Sequence, residues 1–121
     1  MKNILIIDDE GTILDVLRRF LEKCGYSVST ANTWEIGFEF LDSHDFDLVM
    51  LDVNMPGKDG FQISKEIRES RPNQKIIIMT GLQAGSVYDF YNMSDADFDD
   101  IVYKPFSFEK IKTIVGQVIE S

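Results

Sequence analysis

The stretch Leu48-Val49-Met50-Leu51-Asp52-Val53-Asn54-Met55-Pro56-Gly57-Lys58-Asp59-Gly60 decides the fold. Four apolar residues lead into Asp52, and a Pro-Gly turn follows. A short continuous apolar run bounded by turn residues reads as a strand buried on both faces. Asp52 then stands at the carboxyl end of a central strand, the edge at which open α/β sheets bind ligands. A carboxylate beside a hydrophobic layer is unfavourable unless a cation, a hydrogen bond or a reaction uses it. An Asx turn is the bland alternative for the same residue.

Working outward, residues 3–7 (Asn-Ile-Leu-Ile-Ile) read as a first buried strand that ends in Asp8-Asp9-Glu10. Those acids fit either a solvated turn opening the next helix or a cation site. Ile13, Leu17, Phe20, Leu21 and Cys24 keep helical spacing up to a stop at Gly25. Residues 26–31 form a second, less regular strand. Trp34, Gly37, Phe38 and Leu41 mark a second helix, with Asn32, three residues before Glu35, as its expected cap. Trp34 reads as a packing residue, and His44 as a solvated loop residue without a role. Phe61, Ile63 and Ile67 carry a third helix, stopped at Pro72. Ile76-Ile77-Ile78-Met79 is a fourth buried strand, followed by Thr80-Gly81. Ser86 opens a short fourth helix through Val87, Phe90 and Tyr91, and Asp95, Asp97, Asp99 and Asp100 read as solvated loop surface. Ile101-Val102-Tyr103 is the fifth strand, closed by Lys104-Pro105. Ser107 caps a last helix striped by Ile111, Ile114, Val115, Val118 and Ile119. Strands alternating with helices predict a parallel sheet covered on both faces.

At 121 residues the chain is expected to be one domain, 1–121. A net charge of -9 opposes nucleic-acid phosphate and anionic lipid, so neither direct nucleic-acid binding nor a membrane role is expected. The lone Cys24 permits no internal disulfide, and the apolar start is too short for a signal peptide or a span. A cytoplasmic location follows as the expectation.

In a parallel sheet all carboxyl ends gather on one side, and neighbouring strands lie about 4.8 Å apart. Asp8, Asp9, Asp52, Thr80 and Lys104 are therefore expected to converge. Three carboxylates stay ionised together only with a cation among them, and hard oxygen ligands in an incomplete cage suit Mg²⁺. A carboxylate nucleophile, a metal, a lysine and a hydroxyl are what phosphoryl transfer to an Asp needs.

The ordered set Asp8-Asp9, Asp52 followed by Pro56-Gly57, Thr80-Gly81 and Lys104-Pro105-Phe106 resembles the receiver domain of two-component response regulators, over nearly the whole chain. The resemblance implies a flavodoxin-like (βα)5 fold with strand order 2-1-3-4-5. It implies Asp52 as phosphoacceptor, Asp9 as a direct Mg²⁺ ligand, Asp8 acting largely through water, and the Asn54 carbonyl as a further ligand. Thr80, Lys104 and the Gly81 amide would hold the phosphoryl oxygens. The donor would be a histidine kinase or histidine phosphotransfer protein docking mainly on the first helix. The surface of the fourth helix, fifth strand and last helix would report the state; a weak dimer stays open, and the oligomeric state is not legible. Such a protein is a switch, not an enzyme. Its downstream partner is not legible, and no output domain is expected within these residues.

Two departures from the family pattern stand out. Receivers usually carry Tyr or Phe three residues before the lysine, where this chain has Ile101; its aromatic is Tyr103, about 6.6 Å further along the strand, which is not expected to replace the usual switch. The Gly-Ala that usually precedes the last strand is replaced by Ser94-Asp95-Ala96-Asp97. Two other readings compete, a flavin carrier being disfavoured because the loop Asp8-Asp9-Glu10-Gly11 would repel a phosphate. One is a receiver-like docking module that is never phosphorylated. The other is an aspartyl-phosphate hydrolase of the haloacid dehalogenase type, which wants a second Asp where Asn54 stands.

Overall fold

The computed structural model describes residues 1–58, 60–81 and 98–121. Its strands are β1 (Asn3–Ile7), β2 (Ser27–Ala31), β3 (Leu48–Asp52), β4 (Ile76–Thr80) and β5 (Asp100–Tyr103). They form one parallel sheet in the order β2-β1-β3-β4-β5, the flavodoxin-like order. The helices among the described residues are α1 (Gly11–Lys23), α2 (Trp34–Ser43), α3 (Gly60–Ser70) and a C-terminal helix, Phe108–Glu120. The expected fourth helix at Ser86, Val87, Phe90 and Tyr91 lies outside the described residues, as do residues 94–97.

Every residue of β3 and β4 is buried, as the continuous apolar runs require of strands covered on both faces. Alternate side chains feed two cores. Leu5, Ile7, Val49, Leu51, Ile76 and Ile78 pack with Leu41 of α2 and with Phe61, Ile63 and Ile67 of α3. Ile4, Ile6, Met50, Ile77, Met79 and Val102 pack on the other face with Leu14, Leu17 and Leu21 of α1 and the Ile111, Val115 and Val118 stripe. The sheet is thereby clamped from both sides, and its carboxyl ends are held as a rigid rim.

Two local expectations are corrected. The cap of α2 is Thr33, not Asn32: the Thr33 hydroxyl accepts from the Ile36 amide at 3.1 Å. The helix starts one residue later than a box ending on Glu35 demands, so Glu35 falls in the first turn without closing back on the cap. Asp99 is not idle surface. Its carboxylate accepts from the Ile76 amide at 2.8 Å and pairs with Arg68, whose Nε donates to the Gln74 carbonyl at 3.1 Å. It thus ties the entry of β4 to α3. Ser107 does cap the C-terminal helix, accepting from the Lys110 amide at 3.1 Å.

The turn from β3 into α3 is tight at Gly60. Its amide donates to the Val53 carbonyl at 3.0 Å. A Cβ there would stand 2.5 Å from the Val53 Cα and 2.7 Å from the Asp52 carbonyl oxygen. Those are backbone atoms at the functional rim, which cannot yield without moving Asp52. Gly60→Ala is therefore expected to cost about 1–3 kcal/mol in urea denaturation. Gly116→Ala, where an added Cβ meets nothing within 4 Å in the C-terminal helix, is expected to gain about 0.5–1 kcal/mol.

Candidate functional site

Side chains from the ends of β1, β3 and β5 meet at the carboxyl rim. Asp8 follows β1 directly and keeps its amide in the ladder, donating to the Ala31 carbonyl at 3.1 Å. Asp52 is the last residue of β3, and Lys104 follows β5. The Lys104 amide donates to the Thr80 carbonyl at 2.6 Å, which continues the β4–β5 pairing past its last registered pair, Thr80 with Tyr103. The Lys104-Pro105 peptide bond is cis.

The Lys104 ammonium is the hub. It donates to Asp8 Oδ2 at 3.0 Å and lies 3.5 Å from Asp52 Oδ1 and 3.5 Å from Glu10 Oε1. Asp8 is fully buried and Asp52 only 2% exposed. The remaining lone pairs find backbone donors: Asp8 Oδ1 accepts from the Glu10 amide at 2.9 Å, and Asp52 Oδ1 from the Asn54 amide at 3.3 Å. Carboxylate oxygens of Asp8, Asp9 and Asp52 lie within 4.8 Å of one another. Asp9 is the exposed member of the three.

One ammonium does not neutralise so many acids. Burial, and next the charge of Asp8, push the Asp52 carboxyl up to about 6, against the opposing pull of Lys104 and the Asn54 amide. Burial acts to lower the Lys104 ammonium, yet the hydrogen bond to Asp8 and the charges of Asp52, Asp8 and Glu10 together hold it above its ordinary value. The site thus lacks positive charge, and its donors are all hard oxygens. That donor set suits a divalent cation such as Mg²⁺.

The other residues singled out from sequence lie at or near the same carboxyl edge of the sheet. Asn54 is exposed and lines an open pocket with Asp9, Pro56, Gly57 and Lys58. Thr80 is fully buried at the end of β4, and Gly81 beside it is exposed with open space around its Cα. Ile101 and Tyr103 share the face of β5 that packs with α3's core; Ile101 pairs with Ile78, and Tyr103 with Thr80. Sequence reasoning assigned no lysine contact to Glu10, and the structure supplies one. Glu10 is the cap position of α1, but its side chain makes no cap hydrogen bond and turns to Lys104 instead. A lysine 94 residues away leaves no trace in local spacing.

The comparisons agree with this geometry. The family model described as response regulator receiver domain matches residues 4–116. The probable transcriptional regulator ycf27 of Cyanidium caldarium is 36% identical over 117 residues, 97% of this chain and 46% of that protein. The chain spans about half the length of most of the curated relatives it matches. Among solved structures, the response regulator protein TrrA of Thermotoga maritima in complex with Mg²⁺-BeF is 34% identical, with a TM-score of 0.86 over 98% of this chain and 99% of that one. The same regulator in complex with the histidine kinase ThkA gives a TM-score of 0.84 at 34% identity, over 98% of each chain. With sheet order, acidic rim and family match in agreement, the chain belongs to the response regulator receiver domains of two-component systems.

Proposed function

We propose that this chain is a phosphoacceptor switch in which Asp52 takes a phosphoryl group from a histidine kinase or histidine phosphotransfer protein. The observation that carries the reading is the Lys104 ammonium 3.0 Å from Asp8 and 3.5 Å from Asp52, inside a cluster of three carboxylates. Asp52 attacks phosphorus in line with the histidine nitrogen; the new O–P bond forms as the N–P bond breaks, and the nitrogen keeps the electron pair. Lys104 offers its charge to a phosphoryl oxygen, with the Thr80 hydroxyl and Gly81 amide as further donors. Asp9, Asp8, Asp52 and the Asn54 carbonyl would hold Mg²⁺. When bound, the ion offsets carboxylate repulsion and charge on the phosphoryl oxygens. The chain turns over no substrate beyond its own phosphorylation and dephosphorylation.

The docking face for the donor is α1. Val16 is 40% exposed there, and Phe20 stacks at 4.7 Å on Phe108, itself 48% exposed at the start of the C-terminal helix. This apolar strip flanks Lys104 through Ile13, Pro105 and Phe106. The state would be read out on β5 and the C-terminal helix, because Lys104 and Thr80 are joined through their backbones at the end of the sheet. The fourth helix assigned to the same readout lies outside the described residues. A cytoplasmic location fits a chain in which no helix among the described residues is long and apolar enough to cross a membrane.

Incubation with acetyl phosphate and Mg²⁺, followed by intact mass, is expected to add one phosphoryl group to the wild type and none to Asp52→Asn. An unmodified wild type, or a modified Asp52→Asn, overturns the assignment.

The Asp52 carboxyl stands at about 6 in the fold and near 3.9 unfolded, so the fold favours its protonated form. The stabilisation this confers is complete below about pH 4 and is lost as pH rises through about 6. In EDTA, Asp52→Asn is therefore expected to be about 1–3 kcal/mol more stable than wild type at pH 7.5. The difference should shrink towards pH 4. Urea denaturation at both pH values measures it.

A further inference from the structure

We infer that Trp34 is a positioning residue for the phosphoryl site: from α2 it clamps the loop that follows Asp52, and so holds Asn54 in place for a divalent cation. The inference rests on the receiver reading above and names a part of the site that reading does not include.

Trp34 reads from sequence as a packing residue, and it does meet Phe38 edge-on, with ring centroids 5.8 Å apart. Its indole has a second set of neighbours in the loop after β3. Gly57 adopts φ +95°, a conformation that favours glycine. A Cβ on Gly57 would stand 3.0 Å from Trp34 Nε1, so the loop backbone runs directly against the indole. The next residue, Lys58, places its ammonium 4.4 Å from the Trp34 ring centroid. The same ammonium lies 2.9 Å and 3.0 Å from the two carboxylate oxygens of Glu66 on α3. The loop is thus pinned to α2 through a ring face and to α3 through an ion pair.

The pinned residues and the metal side of the site share one wall. Asp9, Asn54, Pro56, Gly57 and Lys58 line a common pocket. Asn54 is exposed and stands in a single β-bridge just past β3, and its amide donates to Asp52 Oδ1 at 3.3 Å. Residues 57 and 58 hold the same loop on the far side of Asn54, through Trp34 and Glu66. Fixing those two residues reduces the conformations the loop must give up when a cation binds.

The charge of Lys58 makes the idea testable by sign. If Lys58 acted only through its field, Lys58→Met would remove a nearby positive charge and tighten Mg²⁺ binding. If Lys58 acts as part of the clamp, the same change weakens it. Mg²⁺ titration by calorimetry on folded wild type, Trp34→Ala, Trp34→Phe and Lys58→Met separates the cases. Trp34→Ala is expected to weaken Mg²⁺ about 3- to 10-fold, the size of a lost cation–π contact. Trp34→Phe, which keeps a ring face, should stay within about 2-fold of wild type, and Lys58→Met should weaken binding. A Trp34→Ala variant with lowered melting temperature but wild-type Mg²⁺ affinity assigns the residue to packing alone and overturns the inference. So does tighter binding by Lys58→Met. A wild type that binds no Mg²⁺ overturns the receiver reading itself, and is distinct from either result.

Discussion

The structure turns on a single ammonium group. Lys104 sits among Asp8, Asp52 and Glu10 at the carboxyl rim of the sheet. Without it, two nearly water-free carboxylates would face each other, an arrangement that costs several kcal/mol even after relaxation. With it, the cluster is tolerated but remains short of positive charge, which is why burial and Asp8 still raise the Asp52 carboxyl. The same shortage that makes the metal-free site unfavourable makes it receptive to a divalent cation. Electrostatic cost and binding capacity are here one property, read from two sides.

That cost is carried by the apolar sheet beneath it. The central strands β1, β3 and β4 are closed by helices on both faces, and their apolar side chains are almost wholly inaccessible. Parallel topology then sends every central strand end to one rim, so the acids of β1 and β3 and the lysine of β5 have no other place to go. Gly60 and Gly57 hold the first turn beyond that rim close to the sheet and to α2. The core does not merely support the site; its connectivity dictates which residues the site contains.

This explains what was legible beforehand. Apolar runs and turn residues report strand ends directly, so the sheet, the four described helices and the strand-end positions of Asp8, Asp9, Asp52, Thr80 and Lys104 could be placed from sequence. What escaped depends on contacts between distant residues or on a shift of one position. Asn32 and Thr33 are both good caps, and only the actual first turn chooses Thr33. Glu10 looks like a helix-opening acid until Lys104, far along the chain, claims it. Asp99 looks like one more solvated acid in a run of them, but Arg68 and the Ile76 amide make it a strut. The contact of Lys58 with Trp34 joins a loop to a helix, and no periodicity encodes it.

The end of β5 carries Ile101 where the receiver pattern leads one to expect an aromatic, and register gives that difference physical content. An aromatic at position 101 would sit beside Ile78, one strand step below the rim. The aromatic here is Tyr103, paired directly with Thr80. Thr80 is in turn joined to Lys104 by a backbone hydrogen bond of 2.6 Å. Thr80, Tyr103 and Lys104 therefore form a contiguous patch at the carboxyl rim, where the Lys104 ammonium reaches Asp8 and Asp52 and Tyr103 packs into the core beside α3. A ligand shifts such a patch only as far as its affinity differs between the arrangements available. In this chain the aromatic stands at the rim itself, not a step beneath it. Tyr103 is the β5 residue in register with Thr80, whereas Ile101, in register with Ile78, has no hydroxyl with which to exchange hydrogen bonds.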